Sequence, residues 1–268
     1  MKFRLITATS IVIANMIGTG IFTSLGFQLS DLSNINSIII MWSIGGVIAL
    51  LGSFCYAELS SAFPKSGGEY HFLRISLGEM VGFLSGWTSA IVGFAAPIAA
   101  SAYAFAKYFS RVVPLDVPPV IIAISLIMLI TVIHSMKVSI GARFQVFFTA
   151  GKIFLLILLI IAGFMNAGKN PDFTQELSNN FHPVDFSQAG FWIGLIFVSY
   201  AYSVWNASAY IIDDIENPVK NVPRSIFIGT CLVTVLYVLI NLIFMISAPA
   251  SEMKGKEDVA HIADRKST

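Results

Sequence analysis

Three groups of residues have types and spacings that could do chemistry, and all three sit inside apolar runs. The first is Asn15-Met16-Ile17-Gly18-Thr19-Gly20-Ile21-Phe22. Two glycines around a threonine weaken helical hydrogen bonding where hydrocarbon offers no substitute. One reading is close helix packing through small residues. The other is a discontinuous helix. Amides at the start of its second half suit a carboxylate, and carbonyls freed at the end of its first half suit an ammonium. Together they describe a site for a zwitterion.

The second group is Ser199-Tyr200-Ala201-Tyr202-Ser203-Val204-Trp205-Asn206-Ala207-Ser208, with seven polar or amphipathic side chains in ten residues. An interfacial belt of Trp and Tyr is the ordinary explanation for such aromatics. This run begins about ten residues into its span, so a cavity-lining role fits better. The third is Lys152, the only ionisable residue well inside a span. Arg143 marks the near edge of that span, nine residues earlier, which puts Lys152 roughly 13 Å deep. A lysine there costs about 2.5–3.5 kcal/mol. It is expected to face a bundle interior and bond to backbone carbonyls, as structural glue or as a coupling and gating cation.

Other chemistry lacks residues to perform it. No HExxH or CxxC motif occurs, the four histidines are scattered, and Cys55 and Cys231 show no ligand or disulfide spacing. No nucleophile–base pair stands out. No catalytic residue, metal or cofactor is therefore expected.

These groups must be positioned by membrane helices. The chain has 268 residues, 56% of them apolar and only 12% charged, with a mean hydropathy of +0.79. The charged share is about half that of a soluble domain, and the apolar residues lie in long stretches. A soluble α/β enzyme is effectively excluded. Sixteen basic residues against fifteen acidic ones give no pull toward nucleic acid. Seven spans are expected, over 5–26, 36–57, 79–108, 118–135, 144–166, 189–213 and 225–248. Each must be a helix that satisfies its own backbone in the bilayer.

Basic residues near the span ends set the orientation. With the N-terminus inside, Lys2, Arg4, Lys65, Arg74, Lys137, Arg143, Lys152, Lys220 and Arg224 lie on the cytoplasmic side, against Lys107, Arg111 and Lys169 outside. The tail dissents, since Lys254, Lys256, Arg265 and Lys266 would fall outside. The longest polar connections are 58–78, 167–188 and the tail from 250. The stretch Tyr56 to Arg74 reads as an ordinary loop, punctuated by Pro64, Gly67 and Gly68. Asp213, Asp214 and Glu216 close the sixth span, where acids oppose the helix dipole. Arg74, Lys137 and Arg224 are the candidate partners for them.

In order, these segments resemble the amino acid–polyamine–organocation transporter superfamily, and most closely bacterial amino acid permeases of the L-type exchanger branch. Gly18-Thr19-Gly20-Ile21-Phe22 is similar to the broken first-helix signature. Tyr56-Ala57-Glu58-Leu59 with Pro64-Lys65-Ser66-Gly67-Gly68-Glu69-Tyr70 is similar to the loop between helices two and three. Gly82-Phe83-Leu84-Ser85-Gly86-Trp87 resembles the entry to helix three. Ala201-Tyr202-Ser203-Val204-Trp205-Asn206, Asp213-Asp214-Ile215-Glu216-Asn217-Pro218 and Pro223-Arg224 resemble helix six and its exit.

The resemblance implies an all-α leucine-transporter-like fold of two inverted five-helix repeats. Residues 1–166 would form the first repeat, 167–188 an extracellular loop, and 189–248 the first two helices of the second repeat. Residues 249–268 would open a further outside loop. The implied function is secondary active transport of small zwitterionic amino acids by alternating access, in a multi-pass protein of the bacterial inner membrane. The implied substrate-binding residues are Met16, Gly18, Thr19, Gly20, Tyr200, Ala201, Tyr202, Ser203, Val204 and Asn206. Lys152 matches a lysine that replaces a coupling sodium in sodium-independent members, which implies a proton-coupled or exchange cycle.

Two departures stand out. Members often have glycine where Val204 stands, and a β-branched residue there opposes unwinding of helix six. Members also have about twelve helices, so a seven-helix chain is expected to be truncated and to transport poorly alone. A seven-helix receptor or photoreceptor is the alternative. It leaves the Gly18-Thr19-Gly20 run without a purpose, and the seventh span has no lysine for a Schiff base.

Overall fold

The computed structural model describes residues 2–32, 34–113, 116–136, 138–167, 183–184, 186–247, 250–256 and 259. Much of the 167–188 connection, Lys137, Lys169 and the tail charges Arg265 and Lys266 lie outside the described residues. All named elements are helical. They are α1 (Leu5–Met16), α2 (Gly20–Gln28), α3 (Ile35–Ala62), α4 (Glu69–Leu77), α5 (Glu79–Thr88), α6 (Ala96–Val112), α7 (Pro119–Ser135), α8 (Val138–Ala167), α9 (Ala189–Ala201), α10 (Pro218–Ser247) and the single turn α11 (Ala250–Met253). A π-helical stretch, Ser89–Ala95, joins α5 to α6 without a break, and a 3₁₀ segment, Ala207–Asp214, follows α9.

Among the described residues, five helical stretches are long and apolar enough to cross a membrane: Leu5–Gln28, Ile35–Ala62, Glu79–Ser110, Ser139–Met165 and Pro218–Ser247. The fourth and sixth expected spans are shorter apolar helices, Pro119–Ser135 and Ala189–Ala201. The protein is a multi-pass membrane protein. Outward rows of large apolar side chains, such as Phe83, Trp87, Phe147 and Phe154, are exposed. Such surfaces are stable against lipid and a liability in water.

The core is built by α1, α2, α3, α9 and α10, with Trp42, Tyr202, Tyr237, Phe191 and Phe244 among its fully buried side chains. α3 packs along α10, α1 lies against α10 and α8, and α2 packs on α9. α6, α7 and α8 form an adjoining row.

Local chemistry accounts for the helix limits. Asn34 caps α3 by accepting from the Asn36 amide at 2.9 Å. Pro64 follows its end. The π stretch lies one turn before Pro97, which lacks the amide that would bond the Gly93 carbonyl.

Four expectations need correction. The connection 58–78 is mostly helical: α3 runs to Ala62 and α4 takes up Glu69–Leu77. The fifth helix begins at Val138, not 144, so Lys152 sits at the middle of a 30-residue helix. The seventh begins at Pro218, not 225, and carries Pro223 inside it. Ser61 Oγ donates to the Val219 carbonyl at 3.3 Å, the acceptor that Pro223 cannot serve. Finally, the acids after the sixth span do not pair with Arg74, which bonds Glu79 at 2.8 Å. Asp213 is held instead by Ser66, whose amide donates to it at 3.2 Å.

The chain ends and loops sort to two ends of the bundle. Phe3 bridges Ile215, with its amide donating to the Asp214 carbonyl at 2.7 Å. The loop 64–68 bonds the 3₁₀ segment at this same end. At the opposite end, the Gly255 amide donates to the Gly26 carbonyl at 2.8 Å, and Met253 and Val259 are buried. The tail's described part is docked on the core.

Candidate functional site

The first span is broken. α1 stops at Met16, Ile17 leaves helical geometry at φ −77° and ψ 86°, and α2 begins at Gly20. The Gly18 amide folds back onto the Met16 carbonyl at 2.9 Å, and the Phe22 amide returns to the Thr19 carbonyl at 3.0 Å. The first amides of α2, at Thr19, Gly20 and Ile21, have no acceptor within their helix. They carry the positive end of its dipole.

The sixth span is broken as well. α9 ends at Ala201, residues 202–206 form turns, and the chain resumes as the 3₁₀ segment. Val204 sits at φ 65°. Helix six therefore unwinds despite the β-branched side chain, at a local cost of about 1–3 kcal/mol. The Ser203 amide donates to the Tyr200 carbonyl at 3.1 Å, and Ala207 to Val204 at 3.2 Å. Among the described residues, no backbone amide reaches the carbonyls of Tyr202 or Ser203.

The two breaks meet. A Cβ added at Gly20 would lie 3.4 Å from both Cα and Cβ of Ala201. Gly18 differs, with open space on every side of such a Cβ and an exposed backbone. Amides of one break thus lie near the other break, where the Tyr202 and Ser203 carbonyls have no backbone donor. Behind them, Trp42, Tyr202 and Tyr237 pack ring to ring, with centroids 5.1–5.8 Å apart. Trp42 Nε1 donates to Gln28 Oε1 at 3.0 Å, fixing the start of α3 to the end of α2.

Side chains already serve the Ala14, Met16 and Ile17 carbonyls at the end of α1. Lys152 Nζ donates to Ile17 at 2.8 Å and to Ala14 at 3.4 Å, while Tyr237 Oη donates to Met16 at 2.6 Å. A cleft of about 280 Å³ lies beside the lysine, lined by Ala14, Asn15, Gln145, Phe148, Thr149 and Lys152. Lys152 does face the bundle and bond backbone carbonyls, and those carbonyls belong to the broken helix.

The residues match the family model described as "Amino acid permease" over positions 3–264. The chain belongs to the amino acid permease family. Among curated relatives of this permease chain, the rabbit (Oryctolagus cuniculus) b(0,+)-type amino acid transporter 1 is 33% identical over 96% of this chain and 53% of its own length. The human (Homo sapiens) large neutral amino acids transporter small subunit 2 is 33% identical over 97% of this chain and 50% of its own. The mouse (Mus musculus) Asc-type amino acid transporter 1 is 32% identical over 97% and 50% respectively. The chain spans about half the length of the curated relatives it matches. These relatives are transporters, and the receptor alternative has no support from them.

Within the permease chain the expected site residues fall into distinct places. Gly18, Thr19, Gly20, Ala201, Ser203, Val204 and Asn206 lie in or beside the two breaks. Met16 contributes a carbonyl that Tyr237 occupies. Tyr200 turns its ring outward, 64% exposed, and only its carbonyl joins the turn. Tyr202 is 1% exposed and belongs to the core. The polar run of the sixth span is thus split between lipid-facing, core and break positions.

One residue near the site escaped sequence reasoning. Glu69 accepts hydrogen bonds from Asn206 Nδ2 on one carboxylate oxygen and from Tyr210 Oη on the other. Its sequence signals are its place directly after Gly67-Gly68 and its membership of the loop motif that resembles the family's, neither of which points to Asn206 or Tyr210.

Proposed function

We propose that the protein carries small zwitterionic amino acids across the cell membrane by alternating access, with the substrate held at the two helix breaks. The observation carrying this is the contact of Gly20 with Ala201, which brings amides with no acceptor in their helix near carbonyls with no backbone donor among the described residues. The amides around Thr19 and Gly20 hold the carboxylate. Carbonyls of Tyr202 and Ser203 hold the ammonium, and the open space at Gly18 admits the side chain of the substrate. The family match and the transporter names of the relatives support the same reading.

Residues 1–166 form the first five-helix repeat on this reading. Residues 167–188 are an outside loop, and 189–248 open the second repeat. The N-terminus faces the cytoplasm of a bacterial cell. With the intramembrane Lys152 set aside, eight basic residues against three support that side. Phe3, the 64–68 loop and Asp214 share one end of the bundle, so they face one side together. Lys152 supplies the cation that a sodium ion would otherwise supply at the broken helix, so the cycle runs by exchange or proton coupling.

The test is uptake of labelled L-alanine and L-leucine by vesicles carrying the complete gene product in sodium-free buffer. Saturable uptake, competed by amino acids but not by analogues lacking either the carboxylate or the ammonium, is expected. Uptake that requires sodium, or competition by the bare amine, would refute it. Stimulation by preloaded amino acid identifies exchange, and stimulation by an inward proton gradient identifies coupling.

A further inference from the structure

The loop after α3 is clasped to the inner half of helix six by six hydrogen bonds. The Gly67 amide donates to the Tyr210 carbonyl at 3.2 Å and the Gly68 amide to the Ala209 carbonyl at 3.1 Å. The Ser66 amide donates to Asp213 Oδ2 at 3.2 Å, and the Asp213 amide returns to Ser66 Oγ at 2.9 Å. Glu69 adds the bonds from Asn206 and Tyr210. A 3₁₀ segment leaves carbonyls poorly served, and the loop's amides serve them. Gly68 is at φ 53°, and a Cβ there would lie 2.8 Å from the Tyr210 ring. Only glycine lets the loop come this close.

Within the clasp, Glu69 is the one side chain that touches a break residue. Its carboxylate only accepts hydrogen bonds. It therefore takes the Nδ2 side of the Asn206 amide, which leaves Oδ1 as that amide's acceptor, and the Tyr56 hydroxyl lies within hydrogen-bond reach of both Glu69 and Asn206. The neighbouring rings fix the arrangement. Trp205 lies edge-on to Tyr56 at 5.0 Å, Tyr56 edge-on to Phe72 at 5.7 Å, and Tyr210 edge-on to Phe94 at 5.1 Å.

We propose that Glu69 is a positioning residue of the amino acid site: through Asn206 it presents an oxygen acceptor to the substrate ammonium, and through Tyr210 it couples the 64–69 loop to the inner half of helix six. This rests on the transport reading above. A glutamine at 69 keeps the shape but offers one acceptor oxygen where the carboxylate serves Asn206 and Tyr210, with the Tyr56 hydroxyl also beside it. Its NH₂ then opposes either Asn206 Nδ2 or Tyr210 Oη.

The experiment is a double-mutant cycle on L-leucine uptake by the complete gene product, using Glu69→Gln, Asn206→Ala and the pair. Rates are normalised to transporter in the membrane. Glu69→Gln is expected to raise KM about tenfold with the maximal rate within about threefold. In the Asn206→Ala background it should add less than about twofold, because its effect runs through Asn206. Glu69→Asp, which keeps the carboxylate on a shorter arm, should recover part of the loss, and it replaces Glu69→Gln in the cycle if the latter does not reach the membrane. Wild-type uptake with Glu69→Gln within about twofold in KM, or fully additive effects, would overturn the proposal alone. Absence of saturable uptake by the wild type would overturn the transport reading first, and this proposal with it.

Discussion

Replacing Lys152 by methionine separates a functional cation from structural glue. The ammonium makes one close bond to Ile17 at 2.8 Å and a longer one to Ala14 at 3.4 Å, both at the released end of α1. A charge-assisted bond of the first kind is worth about 1.5–3 kcal/mol. Removing a lysine from mid-membrane recovers about 2.5–3.5 kcal/mol. The two terms nearly cancel, so thermal unfolding in detergent should barely move. The placement of α1 against α8, however, keeps among the described residues only the longer bond from Thr149 Oγ1 to the Ser10 carbonyl at 3.4 Å. About 2 kcal/mol there changes the balance between two arrangements of α1 by roughly thirtyfold. Uptake by vesicles carrying the Lys152→Met protein should therefore fall at least about tenfold, and any pH dependence of wild-type uptake should flatten. Uptake within about twofold of wild type with an unchanged pH profile would refute the reasoning. A large fall in the unfolding midpoint with uptake per folded molecule intact would identify the lysine as glue.

Two further outcomes follow from backbone geometry. Gly68→Ala meets a forbidden backbone region at φ 53° and the Tyr210 ring at 2.8 Å, so it should destabilise by about 2–6 kcal/mol. An unchanged unfolding midpoint would show that the clasp does not close as described. Val204→Gly relieves strain at φ 65° worth about 1–3 kcal/mol. It loses about 0.4–1 kcal/mol to unfolded-chain freedom and about 1 kcal/mol of partial burial. Its midpoint should stay near wild type, and a drop as large as that of Gly68→Ala would contradict the strained turn.

Much of the helix layout was legible because long apolar runs admit one solution in a bilayer. The break in the first span was legible too, since Gly18-Thr19-Gly20 combines poor helix formers in mid-span. Helix ends were less so. Pro218 and Pro223 read as loop residues, yet the first opens α10 and the second is tolerated because Ser61 serves the Val219 carbonyl. That compensation comes from another helix and leaves no trace near Pro223. α4 was missed because Pro64 and the glycine pair dominated the reading of 58–78, while its nine residues are too few for a clear period. The depth of Lys152 could be counted along the chain, but its acceptors, 135 and 138 residues away, could not. Glu69 is the extreme case, with partners 137 and 141 residues distant. Val204 marks the opposite error. Propensity argued against a turn that nevertheless stands at φ 65°, just past the end of α9.

The central claim is that backbone groups freed at the two breaks hold an amino acid by both its charges. Amide hydrogen exchange of the complete gene product, with and without L-leucine, tests it most directly. Slowed exchange confined to peptides covering Thr19–Phe22 and Tyr202–Asn206, absent with the decarboxylated amine, is the predicted result. Unchanged exchange in both peptides at saturating L-leucine, or equal protection by the amine, would contradict it.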